Sequence, residues 1–179
     1  QIQGFFDFPV DHLDGAAVFV PYFRSLKLEN MVIASPDVGG VSRARAFAKY
    51  FGADIVVCDK HRKRANEIAS IQVIGDVEGA NVVLLDDLID TGGTITKAAK
   101  IIMEKGAKSV RAVATHPVMS GAAYENVNNS VLEELVVTDT IPMKHESPKI
   151  KVLTVAELFA KAIRNVHDHE SISTLFLQV

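Results

Sequence analysis

VVLLDDLIDTGGTI, residues 82–95, decides the fold. Residues 82–85 are consecutively apolar, as in a strand buried on both faces of a parallel sheet. The run ends in two adjacent carboxylates, Asp86 and Asp87, followed by Asp-Thr-Gly-Gly-Thr. After Thr94 the period changes: Ile95, Ala98, Ala99 and Ile102 recur at helical spacing, Lys105 sits in the last turn and Gly106 is placed to stop the helix. The stretch reads strand, loop, helix. In such a unit the loop lies at the carboxyl end of the strand, and the N–H groups at the helix start can cradle a phosphate. Gly92 and Gly93 permit close backbone approach, and Thr91 and Thr94 add hydroxyl donors. Asp86 and Asp87 accept hydrogen bonds only, so they suit sugar hydroxyls or a magnesium ion beside the phosphate. The plainer alternative is a polar strand end and a capped helix with solvated acids. No GxxxxGK[ST] occurs, so this is not a Walker-type loop.

Working outward, residues 31–34 form another buried strand, followed by SPDVGG at 35–40 and a helix with Val41, Ala44, Ala48 and Phe51 on one face. This second strand-loop-helix unit puts Asp37 at the same rim as Asp86. Asp37 has two readings, a helix cap or a metal or ligand contact. Arg43 and Arg45 read as solvated or interfacial rather than catalytic. A third strand, 54–59, leads into KHRKRANEIAS at 60–70, with four cations in five positions: Lys60, Arg62, Lys63 and Arg64. By itself this is a solvated charge run. At the carboxyl edge of a sheet, a mobile basic loop can instead close over a polyphosphate and neutralise its charge. Residues 71–77 then return towards the sheet.

Strands are further expected at 109–115, 135–138 and 150–153, and helices at 16–26, with Pro21 inside, and 120–129. His116 at a strand end before Pro117 reads as a hydrogen-bonded structural histidine. TVAE offers a capping box, Thr154 with Glu157, ahead of a periodic helix bearing Val155, Leu158, Phe159, Ala162, Ile163 and Val166. The other histidines show no metal-ligand spacing. The Phe-rich start, 1–13, and the tail ESISTLF, 170–176, both offer apolar residues suited to a subunit contact or to a missing part of the chain.

Composition bounds the rest. With 179 residues and 48% hydrophobic content, one domain over 1–179 is expected. The net charge of -3 comes without a long basic stripe, which argues against nucleic acid and for small-molecule work. A single cysteine, Cys58, excludes an internal disulfide framework. With no bilayer-length apolar run and no signal segment, no membrane role and a cytoplasmic location are expected.

Five segments, QIQGFFD, SPDVGGVSRA, the basic loop from Asp59, VLLDDLIDTGGTI and THPVMSG, together resemble the carboxyl-terminal half of ribose-phosphate pyrophosphokinase, or PRPP synthetase. The DTGGT loop alone is shared with type I phosphoribosyltransferases. The resemblance implies a parallel α/β sheet with helices on both faces, of the type I phosphoribosyltransferase kind. It also implies transfer of diphosphate from ATP to ribose 5-phosphate, giving PRPP and AMP with Mg2+ for nucleotide biosynthesis. Carried over by position, Asp90, Thr91, Gly92, Gly93 and Thr94 would hold the 5-phosphate, Asp86 and Asp87 the ribose hydroxyls, and Asp37 the magnesium. Lys60 and Arg62 would be catalytic, Arg62 also touching substrate. Gln3, Asp11, Ser171 and Phe176 match regulatory positions. His61 and Lys63 stand where the family commonly has arginine and proline, which loosens the loop. His12 replaces an asparagine, leaving control by ADP open. The family's amino-terminal half, which supplies most ATP contacts and a metal-binding histidine, is expected to be missing, so the chain would be inactive alone. Homo-oligomers, hexamers in the family, are implied.

Two other functions are open to such a chain. A stand-alone phosphoribosyltransferase needs a base-binding hood, for which no segment is spare. A non-catalytic regulatory subunit would have lost Lys60, Arg62, Asp86 or Asp87, and all are present.

Overall fold

The computed structural model describes residues 2–61 and 70–176. In chain order the elements are a 3-10 turn at Ile2–Phe5, α1 (Ala16–Ser25), β1 (Met31–Ser35), α2 (Val41–Lys49), β2 (Asp54–His61), β3 (Ser70–Ile74), β4 (Asn81–Ile89), α3 (Gly93–Glu104), β5 (Ser109–Pro117), α4 (Ala123–Asn128), β6 (Leu135–Thr138), β7 (Ile150–Leu153), α5 (Ala156–His167) and a second 3-10 turn at Ile172–Leu175.

The strands form one seven-stranded sheet in the order β3-β2-β1-β4-β5-β6-β7. All neighbours are parallel except β2 and β3, which are antiparallel at one edge, so the sheet is mostly parallel, in line with the expectation. Alternation along the strands builds two cores. Val82 and Leu84 of β4 join Ile95, Ala98, Ala99 and Ile102 of α3 on one face. Val83 and Leu85 join Phe19, Val20 and Phe23 of α1 and Phe47 of α2 on the other. Strands covered on both sides must be apolar at every position, which is why 82–85 carries no alternation. Burying each such aliphatic side chain contributes about 1.5–3 kcal/mol.

The chain leaves β1 through α2 towards β2 on one side, and leaves β4 through α3 towards β5 on the other. The two exits diverge to opposite faces. That divergence opens a crevice at the carboxyl ends of β1 and β4, where open α/β sheets bind ligands.

Two local expectations are corrected. Strand β4 does not stop at Leu85 but runs through both acids to Ile89, because Asp86, Leu88 and Ile89 still pair with Ala114, His116 and Pro117 of β5. The cap of α5 is not a Thr154–Glu157 box: Asp139 Oδ1 accepts from Val155 N at 2.8 Å and Thr154 Oγ1 from Ala156 N at 3.1 Å. A hydrogen bond from the Thr154 side chain, and then the one from Val155 N, hold the Asp139 carboxyl below its ordinary range. The periodic face of α5 covers no core: none of its residues is buried, and Phe159, Ile163 and Val166 are 50%, 69% and 62% exposed. Pro21 is tolerated inside α1 because it sits on the exposed side, while Asp14 Oδ1 caps the helix start at Ala16 N, 2.8 Å away. No helix among the described residues is long and apolar enough to cross a membrane.

Candidate functional site

Where β1 ends at Ser35, β4 continues past it, and the gap is a cleft of about 440 Å³. Its lining gathers Asp37, Asp86, Asp87, Asp90 and the residues Thr91 to Thr94. Every acid and glycine singled out around residues 82–95 is thus brought together, with Asp37 from the neighbouring unit.

The β1 side is a closed turn. Ser35 Oγ donates to the Asp37 carbonyl at 2.6 Å, and Asp37 Oδ1 accepts from Gly40 N at 2.9 Å. A Cβ on Gly40 would lie 2.6 Å from Ser35 Oγ, so only glycine fits where α2 begins. Asp37 is thus not the helix cap, since the N-cap of α2 is Gly40; its Oδ1 closes the turn before the helix, and Oδ2 remains for a ligand. Among the described residues no cluster of three or more His, Cys, Asp or Glu side chains forms a metal cage. Magnesium commonly keeps several waters and takes one or two carboxylates plus substrate phosphates, so it needs no such cage, and Asp37 could serve as one of those carboxylates.

The β4 side carries the charge. Arg43, from the first turn of α2, reaches Asp87 Oδ2 at 2.8 Å and Asp86 Oδ1 at 3.4 Å. Burial pushes the Asp86 carboxyl up from 3.8 to about 6, and the adjacent Asp87 adds to it. Burial acts on Asp87 in the same sense, but Arg43 and a hydrogen bond from Asp86 outweigh it and hold Asp87 below its ordinary value. The pair thus shares its charge unequally, with Asp87 the better anion. Sequence reading did not foresee the Arg43 bridge. Its only signal was position, since Arg43 follows the β1 turn just as the acids follow β4.

The glycine end of the cleft is built by backbone. Gly92 is left-handed at φ 73, and the first intrahelical bond of α3 runs from Thr96 N to the Gly92 carbonyl at 3.1 Å. The amides of Gly93, Thr94 and Ile95 precede that ladder at the cleft rim, where the helix dipole favours an anion. The first turn of α3 has no acidic residue to compete.

Other sequence candidates fall elsewhere. Lys60 stands on β2 beyond the Ser35–Val57 pair, its backbone at the same rim; Arg62, Lys63 and Arg64 lie outside the described residues. His116 is structural as expected, with Nδ1 2.9 Å from Thr140 Oγ1. Of the regulatory candidates, Asp11 precedes α1 while Ser171 and Phe176 flank the last 3-10 turn, and no hydrogen bond joins Asp11 to Ser171 among the described residues.

Comparison with known proteins fits this geometry. Residues 61–177 match the family model described as the phosphoribosyl synthetase-associated domain. The chain belongs to the phosphoribosyl synthetase family. It is 55% identical over 177 residues to the ribose-phosphate pyrophosphokinase of Campylobacter jejuni subsp. jejuni, covering 99% of this chain but 57% of that protein. The chain thus spans little more than half the length of the synthetases it matches. The crystal structure of phosphoribosylpyrophosphate synthetase from Mycobacterium smegmatis superposes with a TM-score of 0.86 at 39% identity, over 94% of this chain and 56% of that one. An adenine phosphoribosyltransferase, at 16% identity and a TM-score of 0.50 over 64% of this chain and 76% of that one, shares the fold alone. The resemblance to the synthetases, and the sheet expected from it, are borne out.

Proposed function

We propose that this chain supplies the ribose 5-phosphate half of a site that transfers diphosphate from ATP to ribose 5-phosphate, giving PRPP and AMP for nucleotide biosynthesis. One observation carries the reading: carboxylates able to accept from hydroxyls and the glycine-loop backbone at the start of α3 line the same cleft. Asp86 and Asp87 would accept from the ribose hydroxyls, and the 90–94 backbone with Thr91 and Thr94 would hold the 5-phosphate. Asp37 would help hold magnesium beside them. The anomeric oxygen bonds to the β-phosphorus, the bond from that phosphorus to the oxygen shared with AMP breaks, and the hydroxyl proton passes to water. Such transfer needs positioning and charge neutralisation rather than a covalent nucleophile. Bound magnesium supplies part of that neutralisation; Lys60 and Arg62 would supply the rest.

The remaining length of the relatives would supply the ATP contacts, so the chain alone would bind sugar phosphate without turning over. The exposed faces of α5 and of Phe5, Phe6 and Phe8 support burial against another subunit, in keeping with a homo-oligomer. Gln3, Asp11, Ser171 and Phe176 are proposed as a regulatory group, and the cytoplasm as the compartment.

Phosphorus NMR tests this. With magnesium present, the ribose 5-phosphate resonance should shift on adding the chain, and adding ATP should release no AMP. An unchanged resonance would refute the sugar-phosphate assignment, and AMP release by pure chain would refute the half-site.

A further inference from the structure

A second segment, absent from the lining of the cleft, grips the glycine loop from behind. Ser120 Oγ donates to Asp90 Oδ1, and Ser120 N donates to the Asp90 carbonyl at 2.9 Å. Met119 N donates to the Ile89 carbonyl at 2.9 Å. Asn126 Nδ2, from α4, donates to the Thr91 carbonyl at 2.8 Å. Met119 is buried and left-handed at φ 51, a conformation that costs a non-glycine residue energy and persists only where the surroundings enforce it. The turn is therefore held to present Ser120.

The direction of these bonds decides their effect. In a planar trans peptide the carbonyl of one residue and the N–H of the next point opposite ways. With the Asp90 carbonyl pinned to Ser120, the Thr91 N–H points away from the 119–121 turn. With the Thr91 carbonyl pinned to Asn126, the Gly92 N–H points away from α4. Both amides are turned towards the cleft side, where successive N–H groups make an anion nest. The same bond from Ser120 takes up one oxygen of the Asp90 carboxylate, which would otherwise repel a phosphate at this loop. Gly92 supplies the left-handed turn beside α4, at φ 73, where a Cβ would make ordinary contact with the Ala123 carbonyl at 3.5 Å and Asn126 Cβ at 3.7 Å.

We propose that Ser120 and Asn126 are positioning residues that orient the Thr91 and Gly92 amides, and divert the Asp90 carboxylate, so that the loop accepts the phosphate of the sugar phosphate. The inference rests on the sugar-phosphate reading above.

The test uses calorimetry of ribose 5-phosphate and of unphosphorylated ribose, with nitrogen-proton NMR on the same samples. Ser120→Ala and Asn126→Leu should each weaken ribose 5-phosphate on the order of tenfold, as loss of an aligned anion contact implies. Ribose itself should be unaffected, and Ser120→Thr, which keeps the hydroxyl, should restore binding. In the unaltered chain, ribose 5-phosphate should move the Thr91 and Gly92 amide resonances downfield, a readout that needs no variant to fold. Binding by the unaltered chain with those two amides unmoved, or unchanged affinity in both variants, overturns the inference while leaving the sugar-phosphate reading intact. No binding by the unaltered chain overturns that reading and the inference with it.

Discussion

Arg43 and Asp87 meet across the crevice between β1 and β4, with Nη2 2.8 Å from Oδ2, and so tie the start of α2 to the end of β4. Both side chains are substantially exposed, at 42% and 56%, so the bond stabilises little. Arg43→Ala should cost less than about 1 kcal/mol, a fall in Tm of roughly 2–4 °C at most for a chain of this size. Its larger effect is electrostatic: without Arg43, Asp87 should titrate upward towards the ordinary carboxylate value, as followed by side-chain carboxyl carbon shifts.

Asp86 makes the site pH-dependent. Its carboxyl lies near 6 in the folded chain against 3.8 ordinarily, so between those values the folded state holds a proton that the unfolded state has lost. Stability contributed by Asp86 is complete below about pH 4 and is lost as pH rises through about 6. Asp86→Asn should therefore stabilise the chain at pH 7 by about 1 kcal/mol after solvent screening, and by nothing at pH 4. Asp87 runs the other way, its contribution present above the ordinary value and lost as pH falls through its depressed one. Thermal melts across this range check the sign.

Gly92→Ala should destabilise the chain by about 1–2 kcal/mol, the cost of a left-handed conformation for a residue with a Cβ. It should also weaken sugar-phosphate binding, as the loop relaxes away from the turn that sets its amides. Gly52→Ala is the control: Gly52 is left-handed at φ 59 with nothing within 4 Å of an added Cβ, so it should show the strain alone and bind normally.

Phe159 and Ile163 stand on the uncovered face of α5, 50% and 69% exposed. Replacing both with serine should leave the melting of an isolated chain within about 0.5 kcal/mol of the original, as for surface changes generally. If that face meets another subunit, sedimentation should show the larger species disappear in the double variant.

The strand-loop-helix unit at 82–95 was legible because a strand buried on both faces must be apolar throughout, and because a left-handed turn into a helix calls for glycine at 92. The extension of β4 through Asp86 and Asp87 was not legible, since pairing with β5 uses backbone groups that do not register side-chain polarity. Nor was the antiparallel β3, whose direction follows from the chain turning back at the sheet edge. The bridge from Arg43 needed the knowledge that β1 and β4 are neighbours, a fact of topology rather than of local pattern. Periodicity gave α5 an apolar face and said nothing of what covers it.

The central claim is that one cleft holds both the sugar and its phosphate, and calorimetric titration with ribose 5-phosphate and magnesium tests it most directly. Saturable binding is predicted for the unaltered chain, with a loss of at least about tenfold in Asp86→Asn with Asp87→Asn, since charged hydrogen bonds are the strong ones, and in Asp90→Ala, which removes the carboxylate that anchors the glycine loop to Ser120. Ribose 5-phosphate binding that survives both sets of substitutions unchanged would contradict it.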